Sequence, residues 1–250
     1  MPERKTIGTL FELGGRVAME CLTRTGLDYV IIDTEHNCFS TEQVAHCIQA
    51  AENGNLIPYV RIGDTRRPYV LQMLDIGARG LIVPDITSVQ EVEELVSSAK
   101  FPPVGKRGYC PNRTSGWGMD AWAQDIGHYM EECNRRCKLI PQCETAEALE
   151  RIEEIAAIPG VDGIFVGPCD LSIALGIPLQ FDSPVLIAAI ERILRACQAN
   201  GKESIIFSLE PDGVAAWLEK GFDSATCGLD TSVLMRGYQS LVAACRGTGA

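Results

Sequence analysis

The chain has 250 residues, 46% apolar and 22% charged, the composition of a folded protein with a full core. Its formal net charge of −11 argues against nucleic acid or an anionic membrane as a partner, since both call for a basic face. A small anionic substrate would then need a local cation, either a buried arginine or a metal ion.

Met1-Pro2-Glu3-Arg4-Lys5 opens the chain without the apolar core of a signal peptide, and no apolar run approaches membrane-spanning length. A cytoplasmic protein is expected. The eleven cysteines form no CxxC pair, and Cys133 and Cys137 have the spacing of a surface helix rather than a zinc knuckle. Scattered reduced thiols are the reading.

Short apolar runs alternate with amphipathic stretches, which predicts βαβ units and a parallel sheet. Eight strands are read in chain order: Thr6–Phe11, Tyr29–Asp33, Ile57–Arg61, Gly80–Pro84, Lys138–Glu144, Gly163–Gly167, Glu203–Phe207 and Ser224–Cys227. Most are almost wholly apolar, as expected when both faces of a sheet are covered. That strand number and the chain length predict one α/β domain over residues 1–250, a (β/α)₈ TIM barrel. Ser40 with Gln43 forms a capping-box pattern, Ser183-Pro184 an N-cap followed by a first-turn proline, and Gly201 and Gly221 close helices. The segment from Pro102 through Tyr109 and Trp117 to Trp122 breaks the rhythm. Its length, aromatics and cations suggest an ordered functional loop near the barrel mouth; the alternative is a loop that only packs on the barrel exterior.

Functional groups in such a barrel gather at the carboxyl ends of the strands. Glu144 and Asp170 stand at two adjacent ends of this kind. Alternation puts Gln142 on the face of Glu144 and sends Cys143 toward the helices. Asp170 follows a turn opened by Gly167-Pro168, where backbone N–H groups can face a ligand carboxylate. Either carboxylate alone could equally cap a helix; the two together suggest a seat for Mg²⁺, Mn²⁺ or a similar ion. His36, after Asp33 and Glu35, is the best-placed general base, whereas His46 and His128 lie in an amphipathic and a polar stretch. Arg61 ends an apolar strand and should face a permanent or transient anion. Its replacement by alanine is expected to stop turnover and leave the fold nearly intact. None of the six lysines is placed to project near the mouth, so a Schiff-base route is not expected and a metal must do the electrophilic work.

Several segments together resemble the HpcH/HpaI family of metal-dependent, class II pyruvate aldolases. They are Asp33-Thr34-Glu35-His36, Val60-Arg61, Leu74-Asp75-Ile76-Gly77-Ala78, Pro102–Gly108, Gln142-Cys143-Glu144-Thr145 and Gly167-Pro168-Cys169-Asp170-Leu171-Ser172. The resemblance implies reversible cleavage of a 4-hydroxy-2-oxo acid to pyruvate and an aldehyde through a pyruvate enolate. It implies a divalent ion (Mg²⁺, Mn²⁺ or Co²⁺) held by Glu144 and Asp170, with the 2-oxo acid bound by Gln142 and the N–H groups around Cys169 and Asp170. His36 would match the proton-transferring base, Asp75 the carboxylate that raises its basicity, and Arg61 the arginine that stabilises the enolate. It further implies a homo-oligomer, a hexamer built as a trimer of dimers through exchanged C-terminal helices. Relatives usually carry an extra N-terminal helix closing the barrel floor, whereas this chain starts almost at its first strand. The runner-up is a related 2-oxo acid enzyme of the same barrel group, an oxaloacetate decarboxylase or a citryl-CoA-lyase-like enzyme. A non-catalytic barrel that binds a small anion is a third reading.

Overall fold

A computed structural model describes residues 4–248. Eight parallel strands close into a barrel in chain order: β1 (Thr6–Phe11), β2 (Tyr29–Asp33), β3 (Ile57–Arg61), β4 (Gly80–Val83), β5 (Lys138–Cys143), β6 (Gly163–Val166), β7 (Glu203–Ser208) and β8 (Ser224–Leu229). The last pairs back onto the first, Thr6 opposite Ser224. The helices are α1 (Arg16–Leu22), α2 (Thr41–Asn53), α3 (Arg67–Asp75), α4 (Val89–Ala99), α5 (Ile126–Arg136), α6 (Ala146–Glu150), α7 (Ile152–Ala157), α8 (Pro168–Ala174), α9 (Pro184–Asn200), α10 (Pro211–Glu219) and α11 (Asp230–Arg246). The predicted (β/α)₈ barrel is therefore the fold, and every predicted strand is present. Among the described residues no helix is long and apolar enough to cross a membrane.

Strand alternation divides the apolar residues between two cores. Leu10, Tyr29, Ile31, Tyr59, Ile82, Ile140, Phe165 and Ile205 fill the barrel. Their neighbours, such as Val30, Ile32, Val60, Leu81, Cys143 and Val166, face the helix layer. Cys143 thus points away from the barrel, as alternation requires. Near the floor, the amino ends of the strands, the large rings of Tyr29 and Tyr59 need glycine beside them. A Cβ on Gly8 would lie 2.2 Å from the Tyr29 ring, and one on Gly80 2.8 Å from that of Tyr59.

The helix punctuation mostly holds. Ser40 Oγ accepts from Gln43 N–H, and the Gln43 side chain accepts from Ser40 N–H at 2.8 Å. Gly201 closes α9 in the left-handed region at φ 62°. Pro184 opens α9, but the Ser183 side chain makes no capping bond. The cysteines are unpaired, and Cys133 is buried in α5.

The segment 102–122 is not at the mouth. Helix α4 runs back from the carboxyl ends of the strands to their amino ends, so the chain leaving Ala99 emerges at the floor. Lys100, 2% exposed, anchors it there by donating to Asn134 O, Cys137 O and Asp162 Oδ2. The aromatics build a small core of their own: Tyr129 of α5 stacks on Trp122 at 5.2 Å and meets the edges of Phe101 and Tyr109.

Candidate active site at the barrel mouth

Strands β2 and β3 end side by side, with Asp33 in register with Arg61. Arg61 Nε and Nη2 each donate to one Asp33 oxygen at 2.9 Å, a bidentate pair with Asp33 wholly buried. Burial pushes the Asp33 carboxyl up, but the Arg61 bonds and charge outweigh it and hold the group below the usual carboxylate range. Asp33 also accepts from the N–H of Glu35 and the amide of Asn37, at 3.1 and 3.2 Å. The expected anion for Arg61 is therefore a permanent one. Glu35 Oε2 lies 3.2 Å from Arg61 Nε without the alignment of a hydrogen bond, and this buried oxygen has no hydrogen-bond donor. Burial raises the Glu35 pKa more than Arg61 lowers it. Tyr69 OH donates to Thr34 Oγ1, which donates to Arg61 O, so the turn carrying Glu35 and His36 is tied to both neighbouring elements.

Glu144, one residue past β5, is 8% exposed. Its Oε1 accepts from the N–H of Asp85 at 2.8 Å, and its Oε2 from the Gln142 amide. Asp85 reaches this position at φ 54°, a left-handed conformation that aspartate tolerates better than most residues. Burial pushes the Glu144 carboxyl up to about 7; the two hydrogen bonds oppose this, and the negative charges of Asp170 and Glu35 add to it. Gln142, 2% exposed, leaves its Oε1 buried without a partner. Glycine at 167 makes the space: a Cβ there would lie 2.8 Å from Glu144 Oε2 and 3.0 Å from Gln142 Nε2. Pro168 then opens α8, leaving Cys169 and Asp170 in its first turn, where backbone N–H groups lack intrahelical acceptors. The half-buried Cys169 thiol is pushed up first by burial and then by Asp170. Ser172 Oγ donates to Cys169 O at 2.6 Å and accepts from Leu179 N–H at 2.8 Å, fixing that turn.

These elements surround a cavity of about 560 Å³, lined by Glu35, His36, Asp85, Glu144, Asp170 and neighbours on α6 and α8. The structure thus brings together Glu144, Asp170 and His36, with Gln142 hydrogen-bonded to Glu144 and Arg61 behind Glu35. The His36 ring is largely exposed, its Nε2 3.6 Å from Glu35 Oε2. Asp75 does not join it within this chain. It ends α3 at the floor, where Arg107 Nη2 and Asn112 Nδ2 donate to its Oδ1 at 2.7 and 3.0 Å. The carboxylate nearest His36 is Glu35, not Asp75.

Among the described residues, no three His, Cys, Asp or Glu side chains converge into a ready metal-ligand cluster. The donor chemistry nevertheless fits a hard divalent ion. Two carboxylates meet at the cavity, one is destabilised by burial and by like charge, and an amide oxygen beside them is unsatisfied. Oxygens from water or substrate would complete such a site. The sequence reading did not assign roles to Asp33, Glu35 or the Asp85 N–H. The first two were signalled by their place beside His36 and opposite Arg61; the third was not.

The family model HpcH/HpaI aldolase/citrate lyase matches residues 10–237. A 2-keto-3-deoxy-L-rhamnonate aldolase of Klebsiella pneumoniae subsp. pneumoniae is 33% identical over 214 residues, covering 85% of this chain and 78% of the relative. Among solved structures, an HpcH/HpaI aldolase from Desulfitobacterium hafniense DCB-2 superposes with a TM-score of 0.89 at 28% identity, covering 97% of this chain and 93% of the other. The citrate synthase SbnG superposes with a TM-score of 0.87 at 28% identity, covering 97% and 94%.

Proposed function

The chain belongs to the HpcH/HpaI aldolase/citrate lyase family, and from that premise we propose that it is a divalent-metal-dependent aldolase. Its reaction is the reversible cleavage of a 4-hydroxy-2-oxo acid to pyruvate and an aldehyde. The observation that carries this reading is Glu144, a buried carboxylate raised to about 7 beside Asp170 and the unsatisfied Gln142 oxygen. A cation there relieves all three.

Glu144 and Asp170 would hold the ion, which supplies Lewis-acid polarisation of the 2-oxo group when bound. Gln142 and the N–H groups of Cys169 and Asp170 orient the 2-oxo acid. Arg61, held rigidly by Asp33, provides a fixed positive charge toward the enolate that forms as the C3–C4 bond breaks. His36 takes the proton of the 4-hydroxyl as the aldehyde departs, and Glu35 is the carboxylate beside it. In condensation the same proton returns.

Exchange of pyruvate methyl protons with deuterated solvent tests the enolate directly. We expect exchange that requires added Mg²⁺, Mn²⁺ or Co²⁺, and no covalent trapping of pyruvate by borohydride. Metal-independent exchange or borohydride trapping would overturn the reading. The citrate synthase neighbour supports a second reading, a citryl-CoA-lyase-like enzyme of the same barrel group. Exchange without condensation on any of a panel of aldehydes would select it.

The reading includes self-association. Helix α11 exposes Leu234, Tyr238, Leu241 and Val242 at i, i+4, i+7, i+8 spacing, an apolar face suited to a second copy of this chain, in keeping with the hexamer that the resemblance implies. A monomer by light scattering would overturn this part alone.

A further inference from the structure

We infer that the floor side of the molecule carries a second binding site, separate from the mouth, for an anion borne on a flat ring. Arg79 receives the anionic group, and the indole of Trp117 stacks on the ring. This site stands independently of the aldolase reading.

The site is a cavity of about 430 Å³ outside the barrel, walled by the end of α2, the chain entering β4, α5 and the segment 102–122. Its size falls in the range of ~300–1,000 Å³ usual for small-molecule pockets. Arginines from three separate elements line it, Arg79, Arg113 and Arg136, against two acids, Glu52 and Asp120. Arg113 pairs with Glu52, and Arg136 pairs with Glu132. Among the described residues Arg79 makes no ion pair, and its buried Nε has no hydrogen-bond acceptor. Asp120 lies exposed at the opening and does not pair with it. A buried guanidinium donor left without an acceptor costs stability, and its fork geometry matches a carboxylate or a phosphate.

The ring is recognised by Trp117. Gly116 and Trp117 both hold the left-handed region, at φ 55° and 54°, and Trp117 N–H donates to Asn112 O at 2.8 Å. A bulky residue in that conformation is strained, yet its indole stays 69% exposed and outside the small core around Tyr129. Trp122, by contrast, stacks on Tyr129 and carries the guanidinium of Arg136 4.8 Å from its ring centre. Trp117 is thus the indole that offers a free face beside the arginines. Gly77 lets Arg113 lie across the wall, since a Cβ there would come within 2.7 Å of Nη1.

The test titrates the full chain, without divalent metal so that the mouth does not compete, with AMP and with benzoate. Each is set against its halves, inorganic phosphate and adenosine for the first, acetate and benzyl alcohol for the second. One of the two ring-borne anions should bind at least about tenfold tighter than its halves, and the tighter one names the anionic group as phosphate or carboxylate. Arg79→Met keeps the side-chain stem, removes the guanidinium and should weaken binding by about tenfold or more. Trp117→Gly removes the indole and relieves the strained φ, and should weaken binding by about three- to tenfold. In the unmodified protein the bound ligand should slow alkylation of Cys137, which lines this cavity, and leave that of the exposed Cys38 unchanged. If Arg79→Met does not fold, Trp117→Gly and the Cys137 protection decide. Binding of neither compound, binding no tighter than that of the halves, or binding without Cys137 protection and unmoved by both substitutions overturns the inference. Metal-dependent exchange of pyruvate protons should persist in both variants, so failure here leaves the aldolase reading standing, and loss of exchange in the unmodified protein leaves this site standing.

Discussion

The two ends of the barrel interior are both polar, yet they are finished differently. At the floor, Lys138 pairs with Glu203, Ser224 Oγ donates to Glu203 at 2.7 Å, Thr6 shares a hydrogen bond with Ser224, and Tyr29 OH meets Thr226 at 2.8 Å. Each of these groups has a partner. At the mouth, the Arg61–Asp33 pair is equally complete, but Gln142 Oε1 and Glu35 Oε2 have no hydrogen-bond donor and Glu144 is raised to about 7. Unsatisfied buried polar groups cost stability. Two arginine nitrogens on the floor side, Arg79 Nε and Arg107 Nε, also lack acceptors, but the unsatisfied oxygens lie at the mouth beside a destabilised carboxylate, where a cation would relieve them. Polarity alone does not mark the site; unsatisfied acceptors do.

The largest expected effect comes from removing the buried ion pair at the mouth. Arg61→Ala should lower turnover by on the order of 10²–10³, the usual loss for a fixed charge facing a developing anion. It should also destabilise the fold by about 3–5 kcal/mol, because it strands Asp33 as a buried, unpaired carboxylate. This departs from the sequence-based expectation of a nearly intact fold. Urea unfolding alongside steady-state rates checks both parts. A variant as stable as the parent would mean that Asp33 finds another partner, and that the mouth pair is not structural.

Two glycines offer a matched pair of smaller perturbations. Gly167→Ala places a Cβ against Glu144 Oε2 and Gln142 Nε2 at a φ that alanine tolerates, so it should displace the carboxylate rather than the backbone. Affinity for Mn²⁺, read by calorimetry, should fall roughly 10–100-fold, as for other disturbed supports of metal ligands. Gly8→Ala drives a Cβ into the Tyr29 ring and should cost about 1–3 kcal/mol by overpacking, with Mn²⁺ affinity unchanged. If both variants lose metal and stability alike, the two ends are not separable and the contrast fails.

The strands were legible because apolar runs of five or six residues between helical stretches have few other readings. Period-two alternation then correctly turned Gln142 and Glu144 inward and Cys143 outward. One assignment went astray for a topological reason. The segment 102–122 follows the end of a helix, and in a βα barrel every helix returns the chain to the floor, so judging it by its aromatics overlooked what connectivity required. The same connectivity puts Asp75, the last residue of α3, at the floor, away from the His36 of its own chain. Asp85 was illegible in a stronger sense: nothing in Val83-Pro84-Asp85-Ile86 signals a left-handed residue whose N–H reaches Glu144.

The smallest effect tests the floor as a purely structural plug. Burial lowers the Lys138 pKa, but its partners Tyr59 and Glu203 outweigh it and leave the group above its ordinary value of 10.5. A cation whose folded pKa is raised contributes stability that is fully present below its unfolded pKa and is lost as pH rises through the folded one. The ion pair is partly exposed, so Lys138→Met should cost roughly 1–3 kcal/mol, between the values for surface and buried pairs. Across about pH 6 to 9 the stability gap between parent and variant should stay flat, since Lys138 is charged throughout that range. Above pH 10.5 it should narrow as the parent loses its proton. Metal-dependent exchange of pyruvate protons should not change, because the Tyr29, Tyr59, Ile31 and Phe165 layers separate the floor from Glu144. A gap that moved near neutrality, or an exchange rate that fell with it, would show that the two ends communicate through those layers.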